Sequence, residues 1–134
     1  MLVVDASVAV KWVTEEDGSD AAVRLLSVEL IAPDLWLPEA ANALWSKHRR
    51  RLIAADHARD AIQDLLDAPV RTIPSRTLVP AAFGMAAELR HPVYDCLYLA
   101  AAELNDTKAV TADERFFERC SSHAYLGRRI ELLR

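Results

Sequence analysis

The apolar residues of this 134-residue chain fall into short runs of three or four, alternating with longer stretches spaced as on a helix face. Leu2-Val3-Val4 ends at Asp5, too short for a helix, and reads as a buried first strand. Ser7 is placed to cap a short helix, which Ala9, Val10 and Val13 carry to the acidic turn Glu15-Glu16-Asp17-Gly18. Ala21 to Leu30 has helical periodicity, and a brief strand at Leu30 to Ala32 follows it. Pro38 suits the first position of a helix, where its missing N–H would be unpaired anyway, and Glu39 to Arg51 continues with high helix propensity. The spacing predicts a helix over Ala55 to Leu66, a strand over Val70 to Ile73, and a helix over Leu78 to Leu89 with Pro80 in its first turn. A helix from Pro92 to about Leu104, a strand at Lys108 to Thr111 and a helix from Ala112 to Arg119 complete the regular part. Ala124 to Leu126 reads as an edge strand, with Gly127 as a break before a short tail. Short strands alternating with helices predict an α/β fold with a parallel sheet.

Composition narrows the class. The length suits one domain over residues 1–134, with a core sufficient without disulfides or a structural metal. A hydrophobic content of 52% with 27% charged residues is that of a folded globular chain. No apolar run is long enough to cross a bilayer, and Met-Leu-Val-Val-Asp lacks the basic and apolar regions of a signal peptide, so no membrane association and a cytoplasmic location are expected. Cys96 and Cys120 have neither the spacing nor the neighbouring histidines of a zinc or redox motif and read as buried or partly buried free thiols. The formal charge of −4 argues against a surface that clamps nucleic acid throughout, while leaving room for a local basic patch.

Four acids change the picture. Asp5 and Asp113 follow short apolar strands, while Glu39 and Asp95 open apolar helices. In a parallel α/β sheet, strand ends and the helix starts beyond them border one crevice, so the four carboxylates are expected to meet. An oxygen-only cluster without His or Cys ligands suits Mg²⁺ or Mn²⁺, which points to metal-assisted phosphodiester chemistry. Each acid also has a structural explanation: Glu39 and Asp95 are favoured by helix dipoles, and Thr111-Ala-Asp113-Glu114 has the spacing of a capping box. What tips the balance is the polar company of the acids. Asn42 lies on the helix face of Glu39, Ser7 is near Asp5, and Thr111 is near Asp113, each able to orient a carboxylate.

The chain also resembles a known family. Asp5-Ala-Ser7-Val, Pro38-Glu39-Ala-Ala-Asn42, Tyr94-Asp95-Cys-Leu-Tyr98 and Thr111-Ala-Asp113 are similar, in order and across almost the whole chain, to the successive motifs of PIN-domain ribonucleases, especially VapC-type toxins. The resemblance implies a three-layer α/β/α sandwich, a metal-dependent endoribonuclease, an RNA substrate, a homodimer and a cognate antitoxin that inhibits it. It assigns catalysis and metal binding to Asp5, Glu39, Asp95 and Asp113, with Ser7, Asn42 and Thr111 in support. Trp36 and Cys96 depart from the usual pattern without removing a ligand. One ion or two remains open, and so does the RNA. The alternative is a non-catalytic PIN-like module for protein interaction.

Three further features carry a functional and a bland explanation. The basic run Lys47-His48-Arg49-Arg50-Arg51 either contacts RNA or complements a helix C-terminus, and the second is favoured. Trp12, Trp36 and Trp45 read as packing residues before base-stacking ones, and His91 as an incidental loop residue before a proton donor.

Overall fold

The computed structural model describes residues 1–134. Five parallel strands form one sheet in the order β3-β2-β1-β4-β5. They are β1 (Leu2–Val4), β2 (Leu30–Pro33), β3 (Val70–Ile73), β4 (Ala109–Thr111) and β5 (Ile130–Leu132). β2 and β4 are buried along their whole length and β1 nearly so, which is why each reads as a continuous apolar run rather than an alternation. β3 is the half-exposed edge on one side. Seven helices cover the sheet: α1 (Ala6–Ala9), α2 (Ser19–Arg24), α3 (Trp36–Arg49), α4 (Ala55–Leu66), α5 (Ser75–Leu89), α6 (Val93–Leu104) and α7 (Glu114–Ser121). The result is a three-layer α/β/α sandwich.

Helix α6 is the central one. Cys96 through Ala102 are buried without interruption, as expected of a helix apolar all round, and its three consecutive alanines let it lie close to β1, β2 and β4. The core joins this helix to Val3, Val4, Leu30, Ile31 and Val110 of the sheet and to Phe116 of α7. Full burial of each large aliphatic side chain stabilises the fold by about 1.5–3 kcal/mol. No helix is long and apolar enough to cross a membrane.

Several element boundaries differ from expectation. Ser7 lies inside α1, where Asp5 is the N-cap residue and no side chain caps the helix. The helix expected over Ala21 to Leu30 begins at Ser19 and ends at Arg24, passing into a 3-10 turn over Leu25–Ser27, so that Val28 is already extended and leads into β2. Pro38 is the third residue of α3, still in the first turn where an N–H has no intrahelical partner. α5 starts at Ser75 rather than Leu78, which puts Pro80 a turn deeper than expected. The earlier start comes from outside the segment: Asp34, just past β2, accepts hydrogen bonds from the Ser75 backbone N–H at 3.1 Å and from its hydroxyl. No strand forms at Ala124 to Leu126. Leu126–Arg129 makes a 3-10 turn, and the edge strand is β5, pairing Ala109 with Ile130 and Thr111 with Leu132.

Candidate active site

The strand order reverses direction between β1 and β4: from β1 the chain builds outward through β2 and β3, then returns to β1's other side. Such a switch point opens a crevice at the carboxyl ends of the two strands. Asp5 stands at the end of β1 and Thr111 ends β4, in adjoining strands whose register pairs Val4 with Val110. The Asp5 N–H donates to the Val110 carbonyl at 3.0 Å, continuing the ladder to the carboxylate itself.

Asp5 is only 6% exposed. Two hydroxyls hold it by the same oxygen: Thr111 Oγ1 donates to Asp5 Oδ2 at 2.6 Å and Ser7 Oγ at 2.8 Å. Each hydroxyl is fixed by the backbone beyond β4. Ser7 Oγ accepts from Ala112 N–H at 2.9 Å, and Thr111 Oγ1 from Asp113 N–H at 3.0 Å. With their acceptor sides occupied, both hydroxyls point their protons at Asp5. Thr111 therefore orients Asp5, rather than capping the helix after it.

Glu39 sits in the first turn of α3, half-buried. The Tyr98 hydroxyl donates to its Oε1 at 2.5 Å. Asn42 is exposed and makes no hydrogen bond to Glu39, because the carboxylate turns toward α6 and away from the solvent face that Asn42 occupies. Tyr98 takes the place expected for Asn42. Its sequence signal was present, since Tyr98 is three residues after Asp95 and shares its helix face. Asp95, in the first turn of α6, pairs through Oδ2 with His91 Nε2 at 2.6 Å. His91 is itself held flat by stacking on Phe116, with ring centroids 5.0 Å apart. A loop histidine is thus built into the site through a contact that spacing alone does not reveal.

Asp5, Glu39 and Asp95 form one electrostatic group. Burial pushes the carboxyl of Asp5 above its ordinary range, its two hydroxyl donors pull it back, and the neighbouring Asp95 pushes it up again. Burial likewise raises Glu39, opposed by Tyr98 and reinforced by Asp5 and Asp95. Tyr98 is held far above an ordinary phenol by burial and by Asp5 and Glu39, so it remains a proton donor to Glu39. No Lys or Arg forms an ion pair with any of the three.

Asp113 stands apart from this trio. It is the N-cap of α7, where its Oδ1 accepts from Phe116 N–H at 3.1 Å, and its side chain is exposed at the rim. α7 accordingly begins at Glu114 rather than Ala112, and the capping box that the Thr111–Glu114 spacing allows does not form.

The donor set fits a hard divalent cation. Each carboxylate of the trio spends one oxygen on a side-chain partner and leaves the other without one. Their shared negative charge has no arginine or lysine to balance it. No three acidic, His or Cys side chains stand close enough to share one ion, so the arrangement is an acidic crevice rather than a closed cage. A closed cage is not required of Mg²⁺, which keeps several waters and typically uses one or two carboxylates. The cysteines take no part: both are buried and unpaired, and burial lifts the thiols of Cys96 to about 11 and Cys120 to about 12.

Comparison with known proteins places this geometry in a family. The PIN domain model matches residues 2–121. Ribonuclease VapC3 of Pyrobaculum aerophilum is 33% identical over 122 residues, covering 88% of this chain and 93% of that protein. The crystal structure of PAE2754 from P. aerophilum superposes with a TM-score of 0.68 at 22% identity, covering 88% of this chain and 78% of that one. That of Mycobacterium tuberculosis VapC20, described as a sarcin-ricin loop cleaving toxin, superposes at 0.65 with 18% identity over 87% of this chain and 92% of its own. Sequence, family model and strand topology agree, and the chain belongs to the PIN-domain family, among the VapC-type ribonucleases.

Proposed function

We propose that this protein is a Mg²⁺- or Mn²⁺-dependent endoribonuclease, the toxin of a toxin–antitoxin pair, acting in the cytoplasm as a homodimer under the control of a cognate antitoxin. The observation that carries the reading is the trio Asp5, Glu39 and Asp95. Three carboxylates lie at a sheet switch point, two of them raised by burial and by their acidic neighbours, with no Lys or Arg paired to them and with one oxygen of each left unengaged. A fold would not gather such charges for stability.

Asp5 and Asp95 would hold the ion, with Glu39 and the rim residue Asp113 reaching it only through the waters that a hard cation keeps. When bound, the ion supplies a more acidic water and offsets charge developing on the scissile phosphate. The chain's own residues do the positioning. Ser7 and Thr111 fix the plane of Asp5, Tyr98 fixes Glu39, and His91 fixes Asp95, so that the acids keep their orientation despite their repulsion. Glu39, its carboxyl raised by burial and by its neighbours, is a stronger base than an ordinary carboxylate and is suited to accept a proton from an attacking water. The relatives named for ribonuclease activity and for sarcin-ricin loop cleavage support RNA as the substrate.

The test is a cleavage assay on single-stranded RNA with purified protein, with Mn²⁺ and with excess EDTA. Cleavage confined to the metal-containing reaction is expected; equal cleavage in EDTA overturns the reading. A short adjacent reading frame encoding a DNA-binding protein, whose product suppresses the cleavage, is the expected genetic counterpart.

A further inference from the structure

The acidic crevice presents a problem for its proposed substrate. A metal answers the charge of the scissile phosphate only, while the neighbouring phosphates of the strand meet three carboxylates and a protein of net charge −4. A strand held there requires cationic side chains close by. The sequence offers an obvious source in Lys47 to Arg51, but the structure places it elsewhere. These residues end α3, whose first turn carries Glu39, so about 15 Å of helix separates them from the site. Lys47 is engaged by Glu16 at 2.7 Å, and Arg49 lies over the Trp45 ring at 5.2 Å.

A second basic surface adjoins the site. An open cleft of about 630 Å³, with no hydrophobic residue in its lining, is bordered by Arg90, His91, Asp113, Arg115, Glu118 and Arg119. The helical period explains its wall. Arg115, Glu118 and Arg119 recur at i, i+3 and i+4 on one face of α7, while Phe116 and Cys120 turn the other face into the core. Arg90 faces them from the end of α5. None of the three arginines forms an ion pair, although two carboxylates line the same cleft. His91 belongs both to the cleft and to the site, through its 2.6 Å contact with Asp95. The arginine forks therefore stand free on the flank of the carboxylate trio.

We propose that this cleft binds the RNA phosphate backbone next to the scissile bond, with Arg115 and Arg119 as its principal contacts and Arg90 opposite them. The inference rests on the ribonuclease reading for the identity of the strand. Guanidinium groups suit the task because their planar forks take two phosphate oxygens at once. The cleft reads backbone charge and not base identity, so it supplies affinity and register without sequence preference.

The experiment is fluorescence anisotropy of a short labelled single-stranded RNA with the full chain, in EDTA so that cleavage does not intervene, over a range of salt concentrations. The double variant Arg115→Gln/Arg119→Gln is compared with Arg49→Gln/Arg50→Gln, both at exposed positions. The α7 pair is expected to bind at least about tenfold more weakly at low salt, and to lose about 1.4 from the slope of log affinity against log salt, at about 0.7 for each phosphate contact on a single strand. The α3 pair is expected to match the wild type. Unchanged affinity and slope in the α7 pair, or a larger loss in the α3 pair, would overturn the assignment. So would arginine-dependent binding of labelled poly-glutamate in the same assay with no binding of RNA, which would give the cleft to an acidic protein segment. Failure of the two readings is separable. Wild-type cleavage with unaltered RNA binding by the α7 pair rejects the cleft alone, while arginine-dependent RNA binding without any metal-dependent cleavage rejects the ribonuclease reading and retains the cleft.

Discussion

The hydroxyl of Tyr98 and the carboxylate of Glu39 show how much a single contact decides at this site. Glu39 is raised by burial and by two neighbouring acids, and Tyr98 supplies its only side-chain hydrogen bond. Tyr98→Phe removes that bond while keeping the ring that fills the core. Partners that orient metal ligands are worth about 10–100-fold in metal affinity or activity, so a loss in that range is expected in cleavage rate and in Mn²⁺ affinity, read by a metal titration. Asp5→Asn tests the charge itself. A buried acid whose folded-state pKa is raised opposes folding when ionised, so the metal-free urea midpoint of Asp5→Asn should equal or exceed that of the wild type. Its cleavage should fall about 100-fold or more. A lowered midpoint would mean that the hydroxyl pair repays the burial of Asp5 in full.

At the scale of elements, α7 separates two roles that the sequence superimposes. Asp113 is the N-cap of α7 and also the fourth acid of the family pattern. Asn caps a helix about as well as Asp, whereas Ala costs about 1 kcal/mol. Asp113→Asn should therefore melt like the wild type without metal and cleave more slowly, and Asp113→Ala should lose both stability and activity. Thermal melts beside cleavage rates distinguish them; full activity in Asp113→Asn would confine this residue to capping. Other elements show what is legible in the sequence. The strands β1, β2 and β4, the helices α4 and α6, and the order of the acids follow from apolar runs and periodicity, because these are local signals. The early start of α5 depends on Asp34, far away in sequence, and the final strand depends on β4 as its template, so neither can be read from its own segment. The support of Glu39 comes from Tyr98 and not Asn42 for a related reason: helical spacing gives the face of a residue but not the direction in which its side chain turns. The pairing of His91 with Asp95 likewise needed the bend between α5 and α6.

For the whole molecule, two groups of acids give stability opposite dependences on pH. Asp5 and Glu39 bind protons more tightly folded than unfolded, so their contribution is complete below the ordinary values of 3.8 and 4.5 and is lost as pH rises through the higher folded values. Glu16 runs the other way. Burial acts to raise it, but Lys47, Lys11 and Thr14 outweigh burial and hold it at about 2, so its contribution is complete above 4.5 and is lost as pH falls toward 2. Urea midpoints across this range should decline on both sides, and Asp5→Asn should flatten the decline on the alkaline side only. Metal should restore what that side loses. An ion bound only by the folded protein adds about 2.7 kcal/mol at a hundredfold excess over its Kd, so the wild type should melt higher with Mn²⁺ and Asp5→Asn should not.

The most direct measurement is cleavage of single-stranded RNA by wild type and by Asp95→Asn, each shown to be folded by its melting curve, with Mn²⁺ and with excess EDTA. Asp95→Asn keeps the size of the side chain and an acceptor for His91 while removing one charge of the trio. Cleavage by the wild type with Mn²⁺ is expected, and none in the other three reactions. Undiminished cleavage by folded Asp95→Asn, or by the wild type in EDTA, would contradict a metal-dependent role for the trio.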